Sequence, residues 1–178
     1  MLTILGVLSK AQNELTDLNQ VAAHRDVVDS LVLVWLTEDA TVVGQVAEDV
    51  LVDFLLFTRD GGPPRNFIDF ATHENLMWRR VFTDRDIYER MFSTCSHAHT
   101  EDNLGKRRKT IAQGRLLHFL LRVRNSPVRT SSISEIEKKY GVTGGGGLTE
   151  FALRHMVDPE EDDLMLTTLL NHCRQYIG

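Results

Sequence analysis

The sequence has few cysteines and no long hydrophobic run. Its two cysteines, Cys95 and Cys173, are too few for a disulfide framework and favour a reducing compartment, the cytosol or the nucleus. The longest uninterrupted apolar run, residues 31–36, has six residues, whereas a helix that spans a bilayer needs about 20. Residues 1–8 are apolar, but no basic residue precedes them, so we interpret them as the end of a helix and not as a signal peptide.

Aromatic residues are also sparse, at 7% of the chain, and runs of β-branched residues are few. Both features argue against a protein built mainly of β-sheet, because sheets are enriched in these residue types. The 178 residues are 42% hydrophobic and 25% charged, which is ordinary for a globular chain of one domain or about four repeat units.

Helical periodicity runs from residue 26 to residue 177. Helices are predicted to start at Asp26, Phe67, Arg107 and Gly146, at successive intervals of 41, 40 and 39 residues. A spacing of about 40 residues with two helices per unit is typical of HEAT and armadillo repeats. We therefore predict an all-α, HEAT/armadillo-like solenoid of about four helical pairs. It forms a single domain over residues 1–178 and is expected to be a fragment of a longer repeat array.

The helix predicted to start at Asp26 is apolar on almost every face. Leu31, Val32, Trp35 and Leu36 lie at helical spacing, so this helix must be covered on several sides. Capping-box-like pairs are found further along the chain: Thr83 with Asp86, and Ser132 with Glu135. Each pair predicts a helix start.

None of the motifs points to a cofactor or to catalysis. Residues 144–147 are four glycines without the Gly-Lys-Ser/Thr ending of a phosphate-binding loop, and residues 105–109 lack the upstream glycine of that motif. Cys95, His97 and His99 are too few for a zinc site, which usually has four ligands. The acidic residues 158–163 lack the alternating ligands of a calcium loop. We therefore predict no metal, no cofactor and no enzymatic activity.

A basic segment is the strongest candidate for function. From Asn103 to Ser134 there is no acidic residue. Because the whole chain has a net charge of −5 and this segment carries eight basic residues, the remainder carries −13. The eight are Lys106, Arg107, Arg108, Lys109, Arg115, Arg122, Arg124 and Arg129.

Three of these arginines recur every seven residues: Arg108, Arg115 and Arg122. On a helix this spacing places them on one stripe, about a quarter-turn from the apolar row centred on Leu116 and Val123. We expect the stripe to project to solvent, to find few carboxylates within the chain, and to bind a partner. The predicted partner-binding residues are Arg108, Arg115, Arg122, Lys106, Arg107 and Lys109.

Two other interpretations of the basic segment stay open. Neighbouring helices can pair the arginines with acids such as those of residues 158–163, or the side chains can be merely solvated, as exposed charges often are. Nucleic-acid binding is the other alternative. It is disfavoured by the acidic total and by the lack of aromatic residues among the basic ones.

Three stretches of the sequence resemble one known family. They are Trp78-Arg-Arg-Val-Phe-Thr-Asp-Arg-Asp-Ile-Tyr88, Lys109-Thr-Ile-Ala-Gln-Gly-Arg-Leu-Leu117, and Met156-Val-Asp158 followed by Asp162-Asp-Leu-Met165. The chain resembles the fungal branch of the proteasome non-ATPase regulatory subunit 5 family over about residues 27–177. That family includes a yeast protein also labelled a DNA mismatch-repair factor.

The resemblance implies a HEAT-type protein that is longer than this chain and has no catalytic activity. It implies transient binding to the C-terminal domain of an AAA ATPase subunit of the 26S proteasome base, during assembly of the ATPase ring, in the cytoplasm or the nucleus. The alternatives are a nuclear DNA-associated factor linked to mismatch repair, in which the basic helix contacts phosphate, and a generic HEAT-type scaffold. No family contact residue transfers to a position of this sequence.

Overall fold

The computed structural model describes residues 15–56, 76–96, 103–123 and 132–156, together with the single positions 6, 167 and 171. Over these ranges all regular secondary structure is helical, which confirms the all-α prediction. No helix within them is both long enough and apolar enough to cross a membrane. The eight helices are α1 (Leu15–Ala23), α2 (Arg25–Thr37), α3 (Thr41–Leu56), α4 (Leu76–Thr83), α5 (Arg85–Cys95), α6 (Asn103–Arg122), α7 (Ser134–Lys139) and α8 (Gly147–Arg154).

Helix α2 lies at the centre of the packing. It contacts α1, α3, α4, α5 and α6. Val28, Leu31, Val32, Trp35 and Leu36 are all buried, which confirms that this helix is covered on several sides. The burial follows from the sequence, because a helix with apolar residues on most faces is stable only when neighbours remove those faces from water.

The contacts of α2 reach further along the chain than a repeat array predicts. In a solenoid each repeat contacts its immediate neighbours. Here α2, in the first predicted unit, packs directly on α6, in the third. The solenoid is therefore not confirmed, and the helices are grouped around one central member. The predicted start at Phe67 and the acidic residues 158–163 lie outside the described residues.

Asp84 holds the junction between α4 and α5. Its carboxylate accepts hydrogen bonds from the backbone N–H groups of Asp86 and Ile87 and so caps α5. It also accepts from Arg25 Nε at 3.0 Å and from Arg80 Nη1 at 3.1 Å. The predicted start of the helix at Thr83 is wrong by one residue, because Thr83 ends α4 and an aspartate is the better N-cap.

A buried amide joins three parts of the fold near α6. Gln113 is 2% exposed, and its Nε2 donates to the carbonyl oxygens of Cys95 at 3.0 Å and of Met156 at 2.7 Å. Both carbonyls belong to residues at or just beyond the ends of helices, where backbone oxygens have no partner within the helix. Gln113 therefore ties the ends of α5 and α8 to the middle of α6.

A buried carboxylate on α7 likewise joins separate parts of the fold. Glu137 is 2% exposed, and its Oε1 accepts hydrogen bonds from the Tyr88 hydroxyl at 2.8 Å and from the backbone N–H groups of Ser132 and Ile133. Burial and this carboxylate raise the pKa of the Tyr88 hydroxyl. The capping box predicted for Ser132 and Glu135 is wrong, because Ile133 is at the N-cap position of α7 and no side chain caps the helix there.

We expect Gln113→Leu to lower the free energy of unfolding by about 2–5 kcal/mol, because two buried carbonyls lose their donor at about 1–3 kcal/mol each. Urea unfolding followed by circular dichroism measures this. The matched control is Gln45→Leu on the exposed side of α3, which is expected to change stability by less than about 0.5 kcal/mol. Equal effects at the two positions would show that the Gln113 hydrogen bonds contribute nothing.

The hydrogen bonds of Asp84 predict how the free energy of unfolding depends on acidic pH. Partial burial by itself raises the pKa of this carboxyl, but hydrogen bonds from Arg25, Arg80 and the N–H of Ile87 outweigh it, so the net pKa is lowered from 3.8. A lowered folded pKa stabilises the fold above the unfolded pKa, and this contribution is lost as the pH falls through the folded pKa. Wild type should therefore lose stability between about pH 5 and pH 2, and Asp84→Asn should lose less over the same range.

The measurement for Asp84 is the urea midpoint at a series of pH values. Asparagine still caps a helix, so any general loss of the cap is small. Asp26 is an exposed acid in the first turn of α2, and Asp26→Asn is the control. In this variant the urea midpoint should fall with pH as steeply as in the wild type. If the urea midpoint of Asp84→Asn fell with pH as steeply as that of the wild type, Asp84 would be ruled out as the origin of the acid sensitivity.

Candidate functional site

The six predicted binding residues all lie on α6, but they divide into two groups. Lys106, Arg107 and Arg108 are exposed near the start of the helix. We call these three the basic end of α6. Lys109 is half-buried and follows them directly, and Arg115 and Arg122 lie further on, where α6 is covered. The predicted apolar row of α6 is confirmed, since Leu116 and Val123 are buried.

The arginine stripe faces α3 and the turn before it. Arg108 Nη2 lies 3.7 Å from Asp39 Oδ2 between α2 and α3, and both side chains are about half exposed. Arg122 Nη1 lies 2.5 Å from Asp49 Oδ1 and 3.3 Å from Glu48 Oε1 on α3. We call this line of contacts the α3–α6 seam. Its acids ascend in sequence together with the arginines, so the two helices run in the same direction.

Arg115, in the middle of the seam, caps a helix to which it does not belong. Its Nη1 donates to the carbonyl oxygen of Trp35 at 2.9 Å. Trp35 is in the last turn of α2, where the carbonyl would need an N–H from residue 39, beyond the helix end. A cation at this position is also attracted by the negative end of the helix dipole. Arg115 therefore stabilises the C-terminus of α2 from α6.

Gly44 on α3 makes room for this contact. A Cβ atom at position 44 would overlap the Arg115 guanidinium group. Burial lowers the pKa of Arg115, and the carboxylates of Glu38, Glu48 and Asp39 offset part of that effect. The guanidinium group thus lies close to the backbone of α3 at Gly44, and a larger residue at this position would require it to shift.

Glu48 is the buried acid of the seam. Its side chain is 3% exposed, and its Oε1 accepts hydrogen bonds from Arg122 and from His118 Nδ1, the latter at 2.7 Å. A buried carboxylate needs such donors, because an unpaired charge in the interior is strongly destabilising. His118 is more than half exposed, at 55%. It lies at the rim of the seam.

The expectation that Arg108, Arg115 and Arg122 project to solvent with few carboxylates nearby is therefore wrong for two of the three. Arg115 and Arg122 are held by α2 and α3, and only Arg108 keeps substantial exposure. The physical reason is their position at the flank of the apolar row. A neighbouring helix that covers the row also covers its flank.

The basic end of α6 runs against the usual charge preference of helices. Negative charges are favoured at a helix N-terminus and positive charges at a C-terminus, each by about 0.3–1 kcal/mol. The first turn of α6 contains no acidic residue, and three exposed cations follow within its first two turns. Glu101 and Asp102 directly precede the helix in the sequence.

Other groups in the described part of the chain offer less chemistry. No cluster of three or more histidine, cysteine, aspartate or glutamate side chains that could hold a metal ion is found there. Cys95 is fully buried, and burial raises its pKa, which disfavours the reactive thiolate. An open groove of about 520 Å³ lies between α1 and α4. Arg80 at its edge is already bonded to Asp84 and to the Ala22 carbonyl.

No protein-family model matches the chain, and neither a curated protein nor a solved structure shows significant similarity to it.

The close approach of Arg115 to Gly44 predicts that Gly44→Ala changes the free energy of unfolding in opposite directions with and without the Arg115 side chain. Gly44→Ala should destabilise the protein by about 1–3 kcal/mol, because the guanidinium group must move and the Trp35 carbonyl then loses its hydrogen-bond donor. In an Arg115→Ala background the same change should stabilise by about 0.5–1 kcal/mol, since alanine is the better helix former. The double-mutant cycle is measured by urea unfolding.

Gly114→Ala is the matched control for this cycle. Gly114 lies within α6, and a Cβ atom added there meets nothing within 4 Å. It should stabilise by about 0.5–1 kcal/mol in both backgrounds. If Gly44→Ala also stabilised the wild type, the close approach of Arg115 to α3 would be disproved.

Proposed function

We propose that the chain is a non-catalytic protein-binding domain, and that the basic end of α6 binds an acidic segment of its partner. The observation that carries this proposal is the division of α6. Arg115 and Arg122 are used within the fold, whereas Lys106, Arg107 and Arg108 remain exposed at the helix start.

The exposed position of these cations supports binding more than stability. Arg108 has a loose contact with Asp39 at 3.7 Å, and exposed ion pairs contribute about 0–1 kcal/mol. Lys106, in the first turn of α6, also destabilises the helix slightly, because a cation is unfavourable at a helix N-terminus. Local rules of this kind are broken most often where a residue serves a function. An acidic partner would relieve the repulsion among the cations and speed association.

The partner we propose first is the C-terminal domain of an AAA ATPase subunit of the 26S proteasome base. This rests on the resemblance to the proteasome non-ATPase regulatory subunit 5 family. Two of its three stretches lie in α4–α5 and in α6, the latter directly after the basic end. The proposed role is assembly chaperone in the cytoplasm or the nucleus. The predicted spacing of about 40 residues favours a HEAT-type array, whereas the α2–α6 contact is longer in range than such an array predicts.

The test is the triple variant Lys106→Glu, Arg107→Glu, Arg108→Glu. It should lose capture of ATPase subunits in a co-purification, because attraction becomes repulsion. Its melting temperature should stay the same or rise slightly, since acids are favourable at a helix start. A surface that served stability alone would give the reverse result, with normal capture and a lower melting temperature.

The matched control reverses three exposed cations on other helices: Arg79→Glu, Lys138→Glu and Arg154→Glu. It changes the net charge by the same amount and should keep partner capture. If the control also loses capture, total charge and not the basic end decides binding. If the chain instead retains duplex DNA in a salt-dependent way that needs Lys106, Arg107 and Arg108, the DNA-associated alternative replaces the proposal.

A further inference from the structure

A hydroxyl residue directly follows the run of cations on α6. The sequence Lys106-Arg-Arg-Lys-Thr110 places arginines three and two residues before Thr110. Basophilic protein kinases select serine or threonine with arginines at these two positions, because acidic pockets in the kinase bind the guanidinium groups through paired hydrogen bonds. Residues 106–110 therefore have the charge pattern of a kinase substrate.

The start of α6 is fixed by few buried side chains. From residue 105 to residue 111 no side chain is fully buried, and Ala112 is the first that is. Gly105 within the first turn also lowers helix propensity. Helix ends with few buried contacts open at a small fraction of the global unfolding free energy. Such opening presents residues 106–110 in the extended form that a kinase groove accepts.

We propose that Thr110 is a phosphorylation site for a basophilic protein kinase, and that its phosphorylation switches off the basic end of α6. The second part rests on the proposed function. In the transfer, Thr110 Oγ1 forms a bond to the γ-phosphorus of a nucleoside triphosphate, and the bond from that phosphorus to the β–γ bridging oxygen breaks. The nucleoside diphosphate leaves, and the hydroxyl proton goes to a base of the kinase.

The geometry of α6 sets the consequence of this modification. Thr110 Oγ1 already donates to the Lys106 carbonyl at 3.0 Å, so the side chain points back toward the preceding turn. A phosphate there carries about −1.5 to −2 charge. It lies one turn from Lys106 and Arg107, at helical spacings of four and three residues. It neutralises the cations that the acidic partner needs.

Thr83 is a natural comparison within the same chain. Its Oγ1 donates to the Arg79 carbonyl at 2.7 Å, as Thr110 does to Lys106, and Arg80 precedes it by three residues. However, Val81 and Phe82 beside it are buried, and Arg80 is bonded to the Ala22 carbonyl and to Asp84. Opening α4 would break these contacts. Thr83 is itself exposed and has a similar local sequence, but its segment is held too firmly to adopt the extended form.

The experiment treats the full chain with the catalytic subunit of a cyclic-AMP-dependent protein kinase and ATP, and maps phosphate by tandem mass spectrometry. Phosphate is expected at Thr110. It should disappear in Thr110→Val, stay unchanged in Thr83→Val, and fall at least about tenfold in Arg107→Gln with Arg108→Gln, because the kinase loses two paired contacts. Absence of phosphate at Thr110, or a rate unaffected by the arginine changes, overturns the site.

A separate binding measurement tests the regulation, with a poly-glutamate peptide as the probe. The phosphorylated chain should bind it at least about tenfold more weakly than the unmodified chain. Equal affinity of the two forms overturns the switch while the site stands. If the unmodified chain does not bind poly-glutamate at all, the acidic-partner proposal and its switch are overturned together, and the mapped phosphate still decides the site.

Discussion

Burial of α2 is the constraint on which the rest of the described fold depends. Fully burying a large apolar side chain contributes about 1.5–3 kcal/mol, and α2 carries several of them. Trp35 illustrates the balance of forces. Its ring is fully buried, and the ring centroid lies 4.7 Å from that of Phe119 on α6. In the described ranges, its Nε1 is the one buried side-chain nitrogen or oxygen without a hydrogen-bond partner. An unsatisfied donor costs about 1–3 kcal/mol, so packing of the ring has to exceed that loss.

Trp35 also connects the apolar core to the α3–α6 seam. The side chain of Trp35 packs on α6, and its carbonyl accepts the hydrogen bond from Arg115 on α6. Apolar and polar contacts therefore fix the same pair of helices. With α6 anchored on α2 and α3 also packed on α2, the acids of α3 come within reach of Arg122. The α3–α6 seam is a consequence of how both helices cover α2.

The sequence alone was sufficient to identify the interior helix and the apolar row of α6, because both depend on helical periodicity within one segment. It was not sufficient for the direction of Arg115 and Arg122. Periodicity gives the angle between the arginine stripe and the apolar row, but not the width of surface that a neighbouring helix covers. Gly44 was an available signal, since a glycine inside a helix often marks close approach of another group. Glu137 offered no such signal, because its three donors come from distant or irregular segments.

The division of α6 also explains why charge counting overestimated the exposure of the arginine stripe. All the basic residues of the segment contribute equally to net charge, but their environments differ. Arg122 faces a buried carboxylate, and losing it would leave Glu48 with less compensation in the interior, which makes it a structural residue. Lys106 and Arg107 face water, where a charge costs little and is available to a partner. Hence a functional role is most consistent with those cations of α6 that contribute least to the stability of the fold.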